Sequence, residues 1–534
     1  MFFGMRKAVV SCLLLMLMGG VNAAAWGPRA QQAITTTALQ MIRRSYPQAF
    51  RTEGVNYEAD VVRGARSGPD VLRDSLSLNN DTEAIAAIGS EIQLLREVRR
   101  YGAGSYFSYR MGVLSALVSD LLLPYALDRS PGLASLKKEM EADIDKHVLR
   151  YGFQPRHESR QYIRSMRDYM NERREFYGNA KSLIALDYSH GRRADGYLKQ
   201  AGVAFFGEAI ESVADVWHTV LRPEGDAAEV PPSRQAVTWY LVSEIAYLLE
   251  VKKNAYEAEK TYTHLVSVNP GLLEPYEKAG DLFYDFGTHD RGVREWKNAL
   301  SLTGGDRQRV ARKLADHYMR FGKEQLELAS LPTEAEKALP KALEAFTQCL
   351  EYDRSSKEAG DLLGQTRAEI AEREERRDLA IRTLASAEKV LKEADQSASE
   401  EAYGNAIDTY TKAGHLFEII DEEFSEQFKA AQSGKEQARK QILGIIEKLI
   451  DKAQTAIDDG DRAVEENRFD DAQNLYENVP SIVSVIPGDE STTHGKERKK
   501  MTDTAAEKKE QARVRKLRYE QEQRERQQQQ PQGK

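Results

Sequence analysis

The chain has 534 residues, 30% of them charged and 41% hydrophobic, with a formal net charge of -8. That length has room for roughly three or four domains, and the mildly acidic balance gives no ground for specific nucleic acid as the partner of the whole molecule. Leu, Ala, Glu, Lys and Arg dominate the long middle, which predicts an all-α fold.

Residues 1–25 read as a secretory signal. Arg6 and Lys7 form the positive start, Ala8 to Met18 the apolar core, and Val21-Asn22-Ala23 a small-residue cleavage site. The apolar run is too short to span a bilayer and no later segment is longer, so the expectation is an exported bacterial protein, periplasmic or secreted, with no transmembrane segment. Removal of the signal leaves Cys349 alone, and no intrachain disulfide can form. Cleavage after Ala25 would make Trp26 the mature N-terminus; cleavage after Ala23 would leave Ala24 in front of it.

Residues 26–225 centre on the stretch Tyr106 to Ala126, YFSYRMGVLSALVSDLLLPYA. Gly112, Ala116, Asp120, Pro124 and Ala126 are spaced along it so that residues four apart share one helix face. Upstream lie the opening AWGPRAQQAITTTALQMI and the segment Ser67-Gly68-Pro69-Asp70; downstream lies DKHVLRYGF. This frame resembles the zinc-dependent phospholipase C family and the related single-strand-specific nucleases. The resemblance implies a helical domain with four surviving metal-site positions: Trp26, through its main-chain amine and carbonyl, Asp70, Asp120 and His147. It also implies lost ligands, because Gln31, Ala116, Ala126 and Tyr151 stand where the family carries His or Glu, and no histidine precedes His147.

That family hydrolyses phosphodiesters with a zinc cluster that activates water and clamps phosphate oxygens. Zinc in proteins takes three or four N, S or O donors, which a lone Asp120 cannot supply. Two readings follow. In one, the domain is a catalytically inactive phospholipase C-like companion, with no cofactor expected. In the other, the protein is a metal-dependent phosphodiesterase of phospholipase C or nuclease type, with a reduced zinc site of Trp26, Asp70, Asp120 and His147.

The domain closes with Gly202 to Arg222, apolar at helical spacing. Glu211, Asp215 and His218 within it form either a metal cluster or the ordinary polar face of an amphipathic helix. Pro231 and Pro232 then mark a boundary.

Residues 233–370 are self-similar at a period of 34 residues. Ala246, Ala258, Tyr262 and Pro270 recur in phase as Gly280, Gly292, Trp296 and Gly304, with Phe283 and Ala299 at matching places. A third unit carries Ala315 and Tyr318, then Ala342, Phe346 and Cys349, after an insertion around Leu331-Pro332. The pattern resembles the tetratricopeptide repeat, in which small residues let two antiparallel helices approach and aromatic residues fill the gap between hairpins. The resemblance implies a concave groove for a protein or peptide, with Tyr262, Tyr276, Phe283 and Trp296 as its expected lining.

Residues 371–487 read as a long helical arm. Tyr403 to Tyr410 and Phe469 to Tyr476 look like second halves of further repeats, and a coiled coil is the alternative, although no clean heptad run is sustained. Residues 488–534 are charged and poor in large apolar groups, so they read as a tail that is helical in its Lys/Arg/Glu-rich part and disordered at its end. Arg513, Arg515, Lys516, Arg518, Arg524 and Arg526 make it locally basic, suited to a weak contact with an anionic surface. No phosphate-binding loop, Cys-x-x-Cys, His-Glu-x-x-His or Gly-x-Ser-x-Gly motif occurs. The expected function is an exported interaction scaffold with a repeat groove, the phosphodiesterase being the competitor.

Overall fold

The computed structural model describes residues 26–72, 76–125, 133–147, 150, 159–175, 179–223, 231–269, 271–302, 304–331 and 333–529. Residues 1–25, expected from the sequence to be a signal, and Ala126, Tyr151, Pro270, Pro332 and residues 530–534 lie outside this set. The fold is all-α: 81% of it is helical, in 19 helices with almost no strand among the described residues. No described helix is long and apolar enough to cross a membrane. The chain divides into two compact units, one ending at Leu314 and the other beginning at Ala315.

The first unit opens with α1 (Pro28–Ser45), whose proline sits in the first turn, where a missing N–H costs nothing. A hairpin of β1 (Arg51–Thr52) and β2 (Val55–Asn56) follows, its two-residue turn at Glu53 and Gly54 having φ of 51° and 84°. Then come α2 (Glu58–Ser67), a short 3₁₀ turn (Pro69–Leu72), α3 (Asp81–Val98) and α4 (Ser105–Leu121). Asn80 caps α3 by accepting from the Glu83 N–H at 3.0 Å, and Glu83 reaches back to the Asn79 N–H.

Every residue of α4 is buried, which explains why its sequence has no polar face. The closest approach to α4 is made by α2, through two glycines. A Cβ on Gly64 would lie 1.9 Å from the Tyr109 carbonyl oxygen, and one on Gly112 would lie 1.9 Å from that of Val61. Gly112, the first residue of the metal-helix frame, therefore has a packing role: only a residue without a side chain permits this backbone contact.

Around this pair stand α5 (Ala134–His147), α6 (Met166–Arg174), α7 (Ala180–Ser189) and α8 (Tyr197–Leu221). Two buried indoles donate to carbonyls of α4, Trp26 to Ser119 and Trp217 to Met111, each at 2.9 Å. This satisfies the polar edge of a side chain otherwise buried for its area.

Next are α9 (Arg234–Ala246), a π-helical turn (Tyr247–Val251), α10 (Ala255–Val268), α11 (Leu273–Asp285) and α12 (His289–Leu300). The two prolines do not separate cores. Val237, Leu241, Ile245 and Phe283 belong to the same buried cluster as Phe107 and Trp217. Asp60 fastens this joint: buried on α2, it accepts from the Ser105 hydroxyl (2.7 Å), the Tyr247 hydroxyl (2.9 Å) and the Lys252 ammonium (3.1 Å).

The boundary between units falls within α13 (Arg307–Ala329). The second unit continues with α14 (Ala335–Tyr352), α15 (Lys357–Ser399), α16 (Tyr403–Glu418), α17 (Ser425–Glu465), α18 (Phe469–Val483) and α19 (Thr493–Gln529). The long helices α15, α17 and α19 begin at a constant spacing, twice the 34-residue period, and α15 and α17 are each followed by a short helix. Along α15 one buried position recurs every seven residues, at Ala359, Thr366, Arg373, Ala380, Ala387 and Ala394. That is a sustained heptad, written in alanine rather than leucine.

The C-terminal stretch differs from its expected behaviour as a tail. It is helical through Gln529, and Ala505 and Ala512 are buried in the core of the second unit. Small side chains seven residues apart suffice to seat a helix closely, which a search for large apolar residues overlooks.

Candidate functional site

Trp26, Asp70, Asp120 and His147, the four positions the resemblance implies as metal ligands, are spread through the first unit. Trp26 is 1% exposed, with its ring edge-on to Phe206. Asp120 is buried, whereas Asp70 on the 3₁₀ turn and His147 at the end of α5 are half-buried. Trp26 bonds to the carbonyl of Ser119, beside Asp120. The end of α5 reaches the same place, because the Asp145 carboxylate accepts from the backbone N–H groups of Arg29 (2.5 Å) and Ala30 (3.0 Å), capping α1.

Where the resemblance implies lost ligands, the structure has a seam of neutral hydrogen bonds between α1 and α4. The Ser119 hydroxyl donates to the Gln31 side-chain oxygen at 2.9 Å, and the Gln31 amide lies 3.5 Å from the Thr35 hydroxyl. Thr35 in turn meets Ser115 at 3.4 Å. Ala116 is fully buried. Among the described residues no group of three or more His, Cys, Asp or Glu is placed to hold a metal ion. At Gln31 and Ala116 the described residues place a neutral amide and a methyl group.

Glu211, Asp215 and His218 are neither a metal cluster nor a solvated face. Glu211 and Asp215 are buried on α8 with Glu208 and bound by arginines. Arg173 meets Glu208 at 2.9 Å, Glu211 at 3.3 Å and Asp215 at 3.4 Å, while Arg160 meets Asp215 at 3.0 Å. Tyr169 donates to Asp215 at 3.0 Å. Burial pushes the Asp215 carboxyl up, against the pull of Arg160 and Arg173, and burial with the Asp215 charge raises the Tyr169 phenol. His218 is turned to the Tyr46 hydroxyl at 2.9 Å, and burial lowers its pKa. Spacing alone could not reveal these partners, which come from α6 and the segment before it.

The aromatic residues expected to line a groove are largely taken up by packing. Phe283 is 1% exposed and Tyr262 and Trp296 are buried, so among these four Tyr276 alone keeps appreciable surface. Tyr262 stands edge-on to both Tyr276 and Phe283, about 6 Å away. The Trp296 indole donates to Asp281, fifteen residues earlier, at 3.0 Å.

The same contact recurs at the same separation in the second unit, where Tyr410 donates to Asp395 (2.5 Å) and Tyr476 to Asp461 (2.6 Å). A small residue precedes each aspartate: Gly280, Ala394 and Gly460. At Gly280 and Gly460 an added Cβ would come within 2.6 Å of the aromatic ring itself. Each hairpin is thus closed by one aromatic ring over a small residue, with its polar edge bonded to the neighbouring aspartate.

Sequence reasoning missed a cleft of about 700 Å³ between α3, α4 and α9. Its floor is a buried ion pair in which Arg110 donates twice to Glu91, at 2.8 and 2.6 Å, and once to the Tyr106 hydroxyl at 3.0 Å. Burial works against the Arg110 charge, but the adjacent Glu91 carboxylate outweighs it and holds the guanidinium well above its ordinary value. Tyr106, Tyr240 and Trp239 form an aromatic wall. Arg110 lies beneath Tyr106 and Tyr240, 5.8 and 5.7 Å from their ring centres. A hint in the sequence was Tyr106 and Arg110 four apart on a helix whose other polar residues are only serines, Tyr109 and Asp120.

No family model matches the chain, and no curated protein matches it in sequence.

Proposed function

We propose that this protein is an exported interaction scaffold, in which repeat-like helical hairpins hold a protein or peptide and the N-terminal helical domain is a catalytically inactive companion. The observation that carries the reading is the recurring closure of hairpins by an aromatic ring over a small residue and an aspartate, at Trp296, Tyr410 and Tyr476. Stacking of near-identical hairpins builds extended surfaces for binding partners rather than enclosed catalytic pockets. Within residues 233–370 the tetratricopeptide-like reading is supported by the Trp296–Asp281 contact and the closeness of Gly280 to that ring. The exposed arginines of α19 add at most a weak, salt-screened contact with an anionic surface.

The neutral seam of Gln31, Thr35, Ser115 and Ser119 supports an inactive first domain, because Gln31, at a position the resemblance gives to a metal ligand, is engaged in holding two helices together. Elemental mass spectrometry of the purified mature protein tests this, alongside hydrolysis of bis(p-nitrophenyl) phosphate. The expected result is no stoichiometric divalent metal and no hydrolysis. Near-stoichiometric zinc lost in Asp120→Ala and Asp70→Ala, together with phosphodiester cleavage, would overturn the scaffold reading in favour of the phosphodiesterase. A photo-cross-linking residue at half-buried Tyr276 is expected to trap a single partner protein in intact cells.

A further inference from the structure

The cleft over the Glu91–Arg110 pair has features that internal packing does not require. Its wall includes Trp239, half-buried, whose indole N–H has no hydrogen-bond partner among the described residues. The side-chain amides of Gln93 and Gln235 face the same cleft and are likewise without partners among the described residues. Trp239 and Gln93 are half-buried and Gln235 is exposed at the rim, so all three are open to the cleft rather than engaged in packing and are available to a ligand.

The charges lining the cleft are one carboxylate and one guanidinium, and they are bonded to each other. No net charge remains to select an anion or a cation. What remains is a half-exposed indole face, two free amides and the hydroxyls of Ser90 and Ser243, with Leu94 on the apolar side. This set suits a neutral ligand with alternating hydroxyl groups and flat apolar C–H faces. Amides bond hydroxyls as both donors and acceptors, and an aromatic ring packs against a C–H face through dispersion and its quadrupole. The volume lies within the range of small-ligand sites.

We infer that this cleft binds a neutral oligosaccharide, with Trp239 stacking on one sugar ring and Gln93 and Gln235 bonding its hydroxyls. The site lies where α9, the first helix of the repeat-like region, packs against α3 and α4, and it makes the first unit a ligand-binding domain in its own right.

Intrinsic fluorescence gives the test, because Trp26, Trp217 and Trp296 are buried and Trp239 is the partly open indole. The full-length mature protein is titrated with maltotriose, cellotriose and chitotriose, and separately with trialanine as a peptide probe. At least one saccharide is expected to give a saturable emission shift, weakened about tenfold in Trp239→Ala, the scale of one lost stacking contact. Trp239→Phe, followed by calorimetry, should bind more tightly than Trp239→Ala. Gln235→Ala changes an exposed residue and so reads binding without a folding defect. The proposal is overturned if no saccharide of the set binds at millimolar concentration, if trialanine alone binds, or if saccharide affinity is the same in Trp239→Ala and Gln235→Ala as in the parent. None of these results bears on the scaffold reading, which is judged by metal content and the cross-linked partner.

Discussion

Helices α4 and α15 stabilise their units in opposite ways. In α4 all seventeen residues are buried, and backbone touches backbone at Gly64 and Gly112. In α15, forty-three residues long, the buried positions are essentially one in seven, and most of them are alanine. The first arrangement makes each residue answerable to a whole core, so that local damage spreads. The second is close to one-dimensional, in that each helix depends on its neighbours and damage stays local. The difference predicts that one kind of substitution has a large cooperative effect in the first unit and a small, confined or even opposite effect in the second.

The largest effect is expected at the floor of the cleft. Glu91→Ala would leave Arg110 charged and buried without its partner, at a cost of about 3–5 kcal/mol, seen as a lower urea midpoint for the first unit. The double replacement Glu91→Leu with Arg110→Met should recover most of the loss, since an apolar pair of similar volume avoids desolvating two charges. If the single and double variants were equally unstable, the pair would have to matter through more than its charge. Next, Gly112→Ala would drive a methyl group into the Val61 carbonyl and force α2 and α4 apart, costing about 3 kcal/mol. An unchanged melting curve would refute that close approach.

A smaller effect belongs to pH. Burial, with the charge of Glu257 added, pushes the Glu244 carboxyl on α9 up to about 8 from an ordinary 4.5. The folded state therefore favours the neutral acid. The resulting stability is fully present below about pH 4.5 and is lost as pH rises through about 8. Glu244→Gln should flatten this part of the pH–stability curve, and a variant with the slope of the parent would assign it to another group.

These contrasts also explain what was legible in the sequence. The helical class could be read from composition, and the first hairpins from in-phase Gly, Ala and aromatic residues. The tyrosines of α16 and α18 stood out in the same way, but not the aspartates they bond, because Asp395 and Asp461 look like any acids on a charged helix until the hairpin folds back on them. The heptad of α15 was invisible for a related reason: with Thr366 and Arg373 in the seam, hydropathy gives no period. Arg373 can be buried because Glu423 pairs with it and Phe424 lies beneath its guanidinium at 5.3 Å. In the candidate site, Trp26 and Gln31 stood out in the sequence, whereas the hydrogen bonds around them depend on Ser115 and Ser119, residues with no signature of their own.

At the hairpin closures the expected change is modest and local. Tyr476→Phe keeps the ring over Gly460 and removes only the bond to Asp461, at a cost of about 1 kcal/mol. Faster amide exchange should appear in α17 and α18 and be absent from α1 to α8. Exchange that rose throughout the first unit would show that the two regions are not as different as their packing implies.

The smallest expected effect reverses sign. Gly364 lies on the exposed face of α15, and a Cβ there would meet nothing within 4 Å. Gly364→Ala therefore adds no clash while reducing the freedom of the unfolded chain, and should stabilise the helix by roughly 0.5–1 kcal/mol. The chemical change is the one made in Gly112→Ala, yet the midpoints should move in opposite directions. In α4 glycine is present because a second backbone occupies the space a methyl group would take; in α15 that space is filled by water. Destabilisation by Gly364→Ala would mean that this face of α15 is covered, which would make it the first place to look for the partner.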